Sequence, residues 1–367
     1  MLFLLILCCG SAFLATALVV RYGRAHSRRY AWTMPQRFHA GHVPRLGGVG
    51  MLVACTVGWA WMAVSQRLDL NNQLRIDFGT AGALWLVVFV VVGAGVFEDL
   101  TQRLPARSRL FLTVAAAVLA VWLLKLSVPR LGITTLDSYW VMHAWPGVLL
   151  AVVAVSGLPH AFNLIDGYNG LAGIVALVCC FALAYVALQV GDRQLAAIVL
   201  ALAGSTAGFL VWNYPRGLIF AGDGGAYLWG VVIAVASILL VMRHPEVSAW
   251  FPILLLIYPV WETMFSIYRK LARGQSPGVA DALHFHQLIY RRIVRGVFHD
   301  DEARRMLMRN NRTSPYLWGF ALLTVMPAVM FWNRTGLLMA FSALFVVSYV
   351  WAYTSIVHFK VPGWLRR

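Results

Sequence analysis

Residues Ala161–Gly173, AFNLIDGYNGLAG, form the one polar cluster in an apolar run that extends from Val148 to Val190. A membrane helix needs roughly twenty apolar residues to cross a hydrocarbon core about 30 Å thick. The run is therefore long enough for two spans, and the cluster falls between them. A carboxylate at mid-bilayer costs about 2.5–3.5 kcal/mol even on the gentler insertion scale, which places Asp166 at a span end rather than against lipid. Gly167 and Gly170 allow the backbone to turn there, while Asn163, Asp166 and Asn169 offer oxygens or hydrogen-bonding groups at three-residue spacing. A plain interhelical turn needs one Asn or Gly, so this density marks a candidate site as well as a boundary.

The rest of the chain has the same character. Of its 367 residues 60% are hydrophobic and only 12% charged, which excludes a soluble globular protein. Thirty Lys and Arg stand against fourteen Asp and Glu, a net charge of +16. The basic residues lie in loops between apolar runs, so they point to anionic headgroups, anionic substrates and the positive-inside signal, and no nucleic-acid partner is expected. Cys8, Cys9, Cys55, Cys179 and Cys180 all lie within apolar runs without metal spacing or a disulfide framework, and read as packing residues. Met1 to Val20 lacks a basic n-region and is followed by Arg21, Arg24, Arg28 and Arg29; this reads as a first span, not a cleavable leader.

Apolar runs predict an all-α, polytopic integral membrane protein of about eleven transmembrane helices in a single domain over 1–367. The spans fall near 2–20, 47–65, 80–97, 109–126, 147–162, 170–190, 195–211, 225–242, 250–268, 316–332 and 336–356. With the N-terminus periplasmic and the C-terminus cytoplasmic, the inward segments hold Arg21, Arg24, Arg28, Arg29, Arg37 and Arg45, then Arg103 and Arg107, Arg216, a dense set from Arg269 to Arg312, and finally Lys360, Arg366 and Arg367. Outward loops keep scattered charges only: Arg67, Arg75, Arg130, Arg193, Arg243 and Arg334. Trp140, Trp145, Trp250, Trp332 and Trp364 sit near predicted span ends, as interface anchors do.

Chemistry-bearing residues gather on the inward side. One segment carries His39, His42, Pro44 and Arg45 before Gly47 and Gly48; another opens on Glu98 and Asp99 and runs on to Arg107 and Arg109; a third reads FAGDGGAYLWG around Asp223. A long cytoplasmic loop near 269–315 contains Asp281, His284 and His286. Carboxylates and amide oxygens without cysteine favour a hard cation, Mg²⁺ or Mn²⁺. Arginines around them would hold a polyanion. Two anions react only when their repulsion is screened, so the combination points to phosphoryl transfer.

The segments VPRLGG (43–48), FEDLTQRLPARSRL (97–110), FNLIDGYNGLAG (162–173), FAGDGG (220–225) and DALHFHQL (281–288) resemble, in order, the polyprenyl-phosphate N-acetylhexosamine-1-phosphate transferases of glycosyltransferase family 4. The resemblance covers about His39 to Arg292. It implies transfer from a UDP-N-acetylhexosamine to undecaprenyl or another polyprenyl phosphate, with UMP released, at the cytoplasmic face of a bacterial inner membrane. O-antigen or another cell-surface polysaccharide would be the pathway. It further implies that Asp223 ligates Mg²⁺ with Asn163 and Asp166 beside it, that Phe220 stacks on uracil, and that Asn169 contacts the base. Asp99, paired with Glu98, matches a residue proposed to accept the proton of the lipid phosphate. Arg109 matches a basic residue near the phosphates, His284 and His286 match positions that contact the diphosphate, and Arg45 in VPRLGG is a further candidate for substrate binding.

Four residues depart from the family pattern. Glu98 stands where many members have Asp, Asn169 replaces the usual bacterial Asp, Gln287 occupies a third histidine position, and Glu262 stands where Asp is expected. Together they place the chain away from the branch that takes MurNAc-pentapeptide donors. Two other classes stay open on the sequence: a transporter of an anionic solute, which would carry polar residues near mid-span, and a catalytically degenerate family member. The glutamate–aspartate pair could also cap a span end, although acids are unfavourable at a helix C-terminus.

Overall fold

The computed structural model describes residues 1–27, 42–68, 76–276, 278, 283–294 and 296–358. Arg28, Arg29, Arg37, His39, Arg75, Asp281, Lys360, Trp364, Arg366 and Arg367 lie outside the described residues. Within them the chain is mainly helical, with no strand, and ten helices are long and apolar enough to cross a membrane. In chain order the helices are α1 (Leu2–Ser27), α2 (Gly47–Arg67), α3 (Phe78–Thr101), α4 (Ala106–Leu124), α5 (Thr134–Met142), α6 (Trp145–Ile165), α7 (Leu171–Gln189), α8 (Arg193–Asn213), α9 (Gly222–Arg243), α10 (Trp250–Leu255), α11 (Ile257–Leu271), α12 (Phe285–Leu288), α13 (Glu302–Met330) and α14 (Thr335–Val357). A short π-helical segment, Ile289–Ile293, follows α12 directly.

Local chemistry accounts for many of these ends. Asp77, Asp192 and Asp301 precede α3, α8 and α13, and each accepts a hydrogen bond from a first-turn N–H: Thr80 at 2.9 Å, Leu195 at 2.9 Å and Ala303 at 2.9 Å. Proline sets the one interruption in the predicted span 250–268. Pro259 has no N–H to offer the Leu255 carbonyl, and the helix breaks at Leu256 into α10 and α11. The Leu255 carbonyl instead faces the Cys179 thiol at 3.9 Å.

A second difference lies in the long loop. The sequence reading places 302–315 in the long inward loop; in the structure they form the first half of α13 and continue through Pro315 into the apolar half. Short α5 on the 130–145 connection was not expected, and its residues are all at least partly exposed.

Helix α9 is the axis of the fold. It packs against α2, α3, α6, α7 and α8. Its sequence is apolar all round, which predicts burial on every side. From Gly222 to Val241 every residue except Asp223 is buried. Close packing of its first turn depends on glycine. A Cβ on Gly48 of α2 would lie 2.3 Å from the Gly225 nitrogen, and one on Gly95 of α3 would lie 2.5 Å from the Gly224 nitrogen. The backbones of three helices thus meet where Asp223 emerges.

Candidate functional site

The start of α9 is built by two segments distant in sequence. Phe220 donates its N–H to the Pro44 carbonyl at 2.9 Å, and Gly47 and Gly48 donate theirs to the carbonyls of Phe220 and Ala221 at 2.9 and 3.0 Å. VPRLGG therefore lies alongside FAGDGG, which brings Arg45 to the site. Gly222 has φ +72°, and a side chain there would run into the Arg45 carbonyl and the Asp99 carboxylate. Asp99, 5% exposed, accepts from the N–H of Asp223 at 2.9 Å on one oxygen and from that of Gly224 at 3.0 Å on the other. It caps α9 from the end of α3. The carboxylate is thus at the C-terminus of its own helix and at the favourable N-terminus of another. Its neighbour Glu98 accepts the Leu104 N–H at 2.7 Å and closes the turn between α3 and α4. Asp99 thus caps a helix end that is not its own, while Glu98 binds the turn that follows the pair.

Asp223 stands at the centre. Its Oδ2 accepts from Arg109 at 2.9 Å and from the Tyr227 hydroxyl at 3.3 Å, and its Oδ1 accepts from the Asn163 side-chain amide at 2.7 Å. Asn163 belongs to the last turn of α6, and Asp166 follows that helix directly. Burial pushes the Asp166 carboxyl up to about 7; Arg45 opposes the shift and the Asp223 charge adds to it. Five of the expected site residues, Arg45, Arg109, Asn163, Asp166 and Asp223, are thus brought together by four separate stretches of chain. Phe220 lies half-buried two residues ahead of α9.

The turn 166–170 links this centre to a second group. A Cβ on Gly167 would stand 3.4 Å from His286 Nε2, and Tyr168 meets the His286 ring edge-on at 5.5 Å. The His284 and His286 rings are stacked, 5.3 Å apart and 9° from parallel. Behind them Glu262, fully buried on α11, lies 3.4 Å from His284 Nδ1 and accepts from the Phe285 N–H at 2.9 Å and from the Tyr349 hydroxyl at 2.6 Å. Gln287 accepts the His284 N–H at 3.4 Å, so the departure from a third histidine supplies a cap for α12. Asn169 turns away from both groups. It is 1% exposed, with its side-chain amide donating to Asn311 at 2.9 Å, its N–H to Asn310 at 2.8 Å, and its carbonyl accepting from Ser314 at 2.6 Å. Among the described residues its Oδ1 has no hydrogen-bond partner, and it lies beneath Gly217.

Sequence reasoning passed over several participants. His160 on α6, Thr113 on α4 and Tyr227 on α9 lie one turn deeper than Asn163, Arg109 and Asp223. The signal for His160 was present: an ionisable residue within a span is a functional candidate by default. Tyr227, Tyr349, Asn310 and Asn311 carried no comparable signal.

Among the described residues no three His, Cys, Asp or Glu side chains cluster as a ready metal site. The donor set nonetheless fits Mg²⁺ or Mn²⁺, which take one or two carboxylates and complete their shell with phosphate oxygens and water. Asp223 and Asp166 would supply the carboxylates and Asn163 the amide oxygen. Arg109 is the cation that now neutralises Asp223.

A membrane protein with one carboxylate, held between an arginine and an amide at the mouth of its most buried helix, is the class that fold and site define. Residues 81–241 match the model of glycosyl transferase family 4. It is similar to the Bacillus subtilis (strain 168) protein named "Probable undecaprenyl-phosphate N-acetylglucosaminyl 1-phosphate transferase", 26% identical over 252 residues, 68% of this chain and 66% of that one. The phospho-N-acetylmuramoyl-pentapeptide-transferase of Moorella thermoacetica is 32% identical over 201 residues, 53% of this chain and 61% of that one. The decaprenyl-phosphate N-acetylglucosaminephosphotransferase of Mycobacterium leprae is 26% identical over 337 residues, 82% of each chain. The matched part spans less than two thirds of the Bacillus and Moorella relatives.

Proposed function

We propose that this protein transfers N-acetylhexosamine-1-phosphate from a UDP-sugar to polyprenyl phosphate, at the cytoplasmic face of a bacterial inner membrane. The observation that carries the reading is the Asp223 carboxylate, bound by Arg109 and Asn163 beside Asp166, in a chain whose relatives bear the names of such transferases. An oxygen of the lipid phosphate forms a bond to the sugar-side phosphorus of the donor. The bond from that phosphorus to the bridging oxygen breaks, and UMP leaves with the oxygen and its charge.

A divalent cation at Asp223 and Asp166 would neutralise the diphosphate. Arg109, on the rim of α4, is placed to bind phosphate oxygens once it no longer pairs with Asp223. Asn163 orients the Asp223 carboxylate through its amide. His284 and His286 face the turn that carries Asp166, with Glu262 fixing His284 from behind, and would donate to phosphate oxygens. Phe220 would stack on uracil. Asn169 can meet the base only if Gly217 moves aside, and its unpartnered Oδ1 is then the acceptor for the uracil N3–H. Asp99 holds the start of α9; its part is positional, not proton transfer.

The test is UMP release by the purified protein with undecaprenyl phosphate and a panel of UDP-N-acetylhexosamines. Chelator should abolish it, Mg²⁺ or Mn²⁺ should restore it, and Asp223→Asn should remove it while leaving the protein folded. Release undiminished in chelator would overturn the metal assignment, and no release with any donor would overturn the reaction. Single cysteines introduced at Arg103 and Glu246 should label from the cytoplasmic and periplasmic sides respectively; the reverse pattern would invert the proposed orientation.

A further inference from the structure

Beneath the Asp223 cluster lies a second polar layer that none of the roles above uses. Thr113 is one turn below Arg109 on α4, His160 one turn below Asn163 on α6, and Tyr227 one turn below Asp223 on α9. Three helices therefore present two stacked polar tiers, Arg109–Asn163–Asp223 above and Thr113–His160–Tyr227 below. The lower tier is connected. His160 Nε2 is 2.9 Å from the Thr113 hydroxyl, and that hydroxyl gives its hydrogen to the Leu110 carbonyl at 2.9 Å. The contact with the Thr113 hydroxyl holds the plane of the His160 ring. The His160 ring in turn meets Tyr227 edge-on, 5.5 Å between centroids. Tyr227, 1% exposed, sends its hydroxyl up to Asp223 Oδ2.

We propose that Thr113, His160 and Tyr227 act as positioning residues that hold the Asp223 carboxylate in the orientation that accepts a divalent cation. This rests on Asp223 being the cation's carboxylate. The need for such a support is physical. Arg109 pulls on Oδ2 and Asn163 on Oδ1, and both come from other helices. When a cation and an anionic substrate draw Arg109 away, Tyr227 is the remaining donor to Oδ2 from within α9. Its own position depends on His160, and that of His160 on Thr113. The influence thus runs from α4 through α6 to α9 without passing through the upper tier.

The test uses the full-length protein in detergent and reads Mn²⁺ binding by the loss of the free-ion paramagnetic resonance signal, with Asp223→Asn as the reference for a destroyed site. Tyr227→Phe keeps the ring and removes the hydroxyl; His160→Ala removes the ring that steadies it. Each should raise the Mn²⁺ dissociation constant about tenfold, in the range for groups that orient a metal ligand. The double variant should be no weaker than the worse single one, because both act through one contact. His160→Phe fills the space without a ring nitrogen and serves where His160→Ala does not fold, with an effect in the same direction. In turnover, the Mg²⁺ concentration for half-maximal UMP release should rise while the maximal rate changes little; a structural defect would lower the maximum instead. Mn²⁺ affinity equal to wild type in Tyr227→Phe, in Asp223→Asn, or in both His160 variants overturns the proposal, as do single effects that multiply in the double variant. Weakened Mn²⁺ binding in a protein that releases no UMP would uphold the tier and defeat the transferase reading.

Discussion

Asp99→Asn separates two meanings of a buried carboxylate. In the structure both oxygens of Asp99 are engaged by backbone N–H groups at the start of α9, at 2.9 and 3.0 Å. An asparagine can present one oxygen to one of them and must turn its NH₂ group toward the other, donor against donor. A lost hydrogen bond to a charged group costs about 1.5–3 kcal/mol. The expected destabilisation is therefore about 1.5–3 kcal/mol, a large share of the margin of most folded proteins. Thermal unfolding of the purified variant in detergent measures it, and UMP release is followed in the same preparation. The midpoint should fall by several degrees together with the loss of activity. An inactive Asp99→Asn protein that unfolds with the wild type would refute the capping argument and return Asp99 to the role of proton acceptor.

Other perturbations follow from the same packing. Gly95→Ala would place a methyl group 2.5 Å from the Gly224 nitrogen, so it should displace the start of α9; loss of UMP release with reduced thermal stability is expected, whereas Gly93→Ala, open at its Cβ, should be tolerated on both measures. Arg130 binds the carbonyls of His244, Pro245 and Val247 at 3.1, 2.8 and 2.8 Å beyond the end of α9, and Arg130→Met should lower stability by about 1.5–3 kcal/mol with the KM values unchanged. Phe220→Ala should raise the KM for the UDP-sugar about ten- to a hundredfold, from a stacking contribution of roughly 1–3 kcal/mol, with a smaller effect on the lipid acceptor. A change confined to the acceptor's KM would move the nucleotide pocket elsewhere.

The spans were legible because crossing a bilayer imposes a length and a composition that few other constraints imitate. Gly47, Leu171 and Gly222 begin helices within three residues of the expected positions. Helix α9 could be read as buried because it has no polar face, and Asp223 as a site residue because it interrupts that burial at one end. The charged half of α13 was not legible: hydropathy reports partition into lipid, and Glu302–Arg312 is helical without being apolar. The break at Leu256 was hidden for the opposite reason, since every residue around it is apolar and only Pro259 signals the lost hydrogen bond.

What a sequence cannot display is which helix end a carboxylate reaches. Glu98 and Asp99 are adjacent, yet one closes a local turn and the other caps a helix more than a hundred residues away. The difference is made by Gly48, Gly95 and Gly222, which let three backbones approach until the Asp99 side chain spans the gap. The same approach sets Arg109, Asn163 and Asp223 in one plane of contact and, one turn deeper, Thr113, His160 and Tyr227 in another. A helix repeats its faces every turn, so fixing three helix ends against one another also fixes the layer beneath. The motif and its support are products of a single packing decision, and only the motif has residue types that announce it.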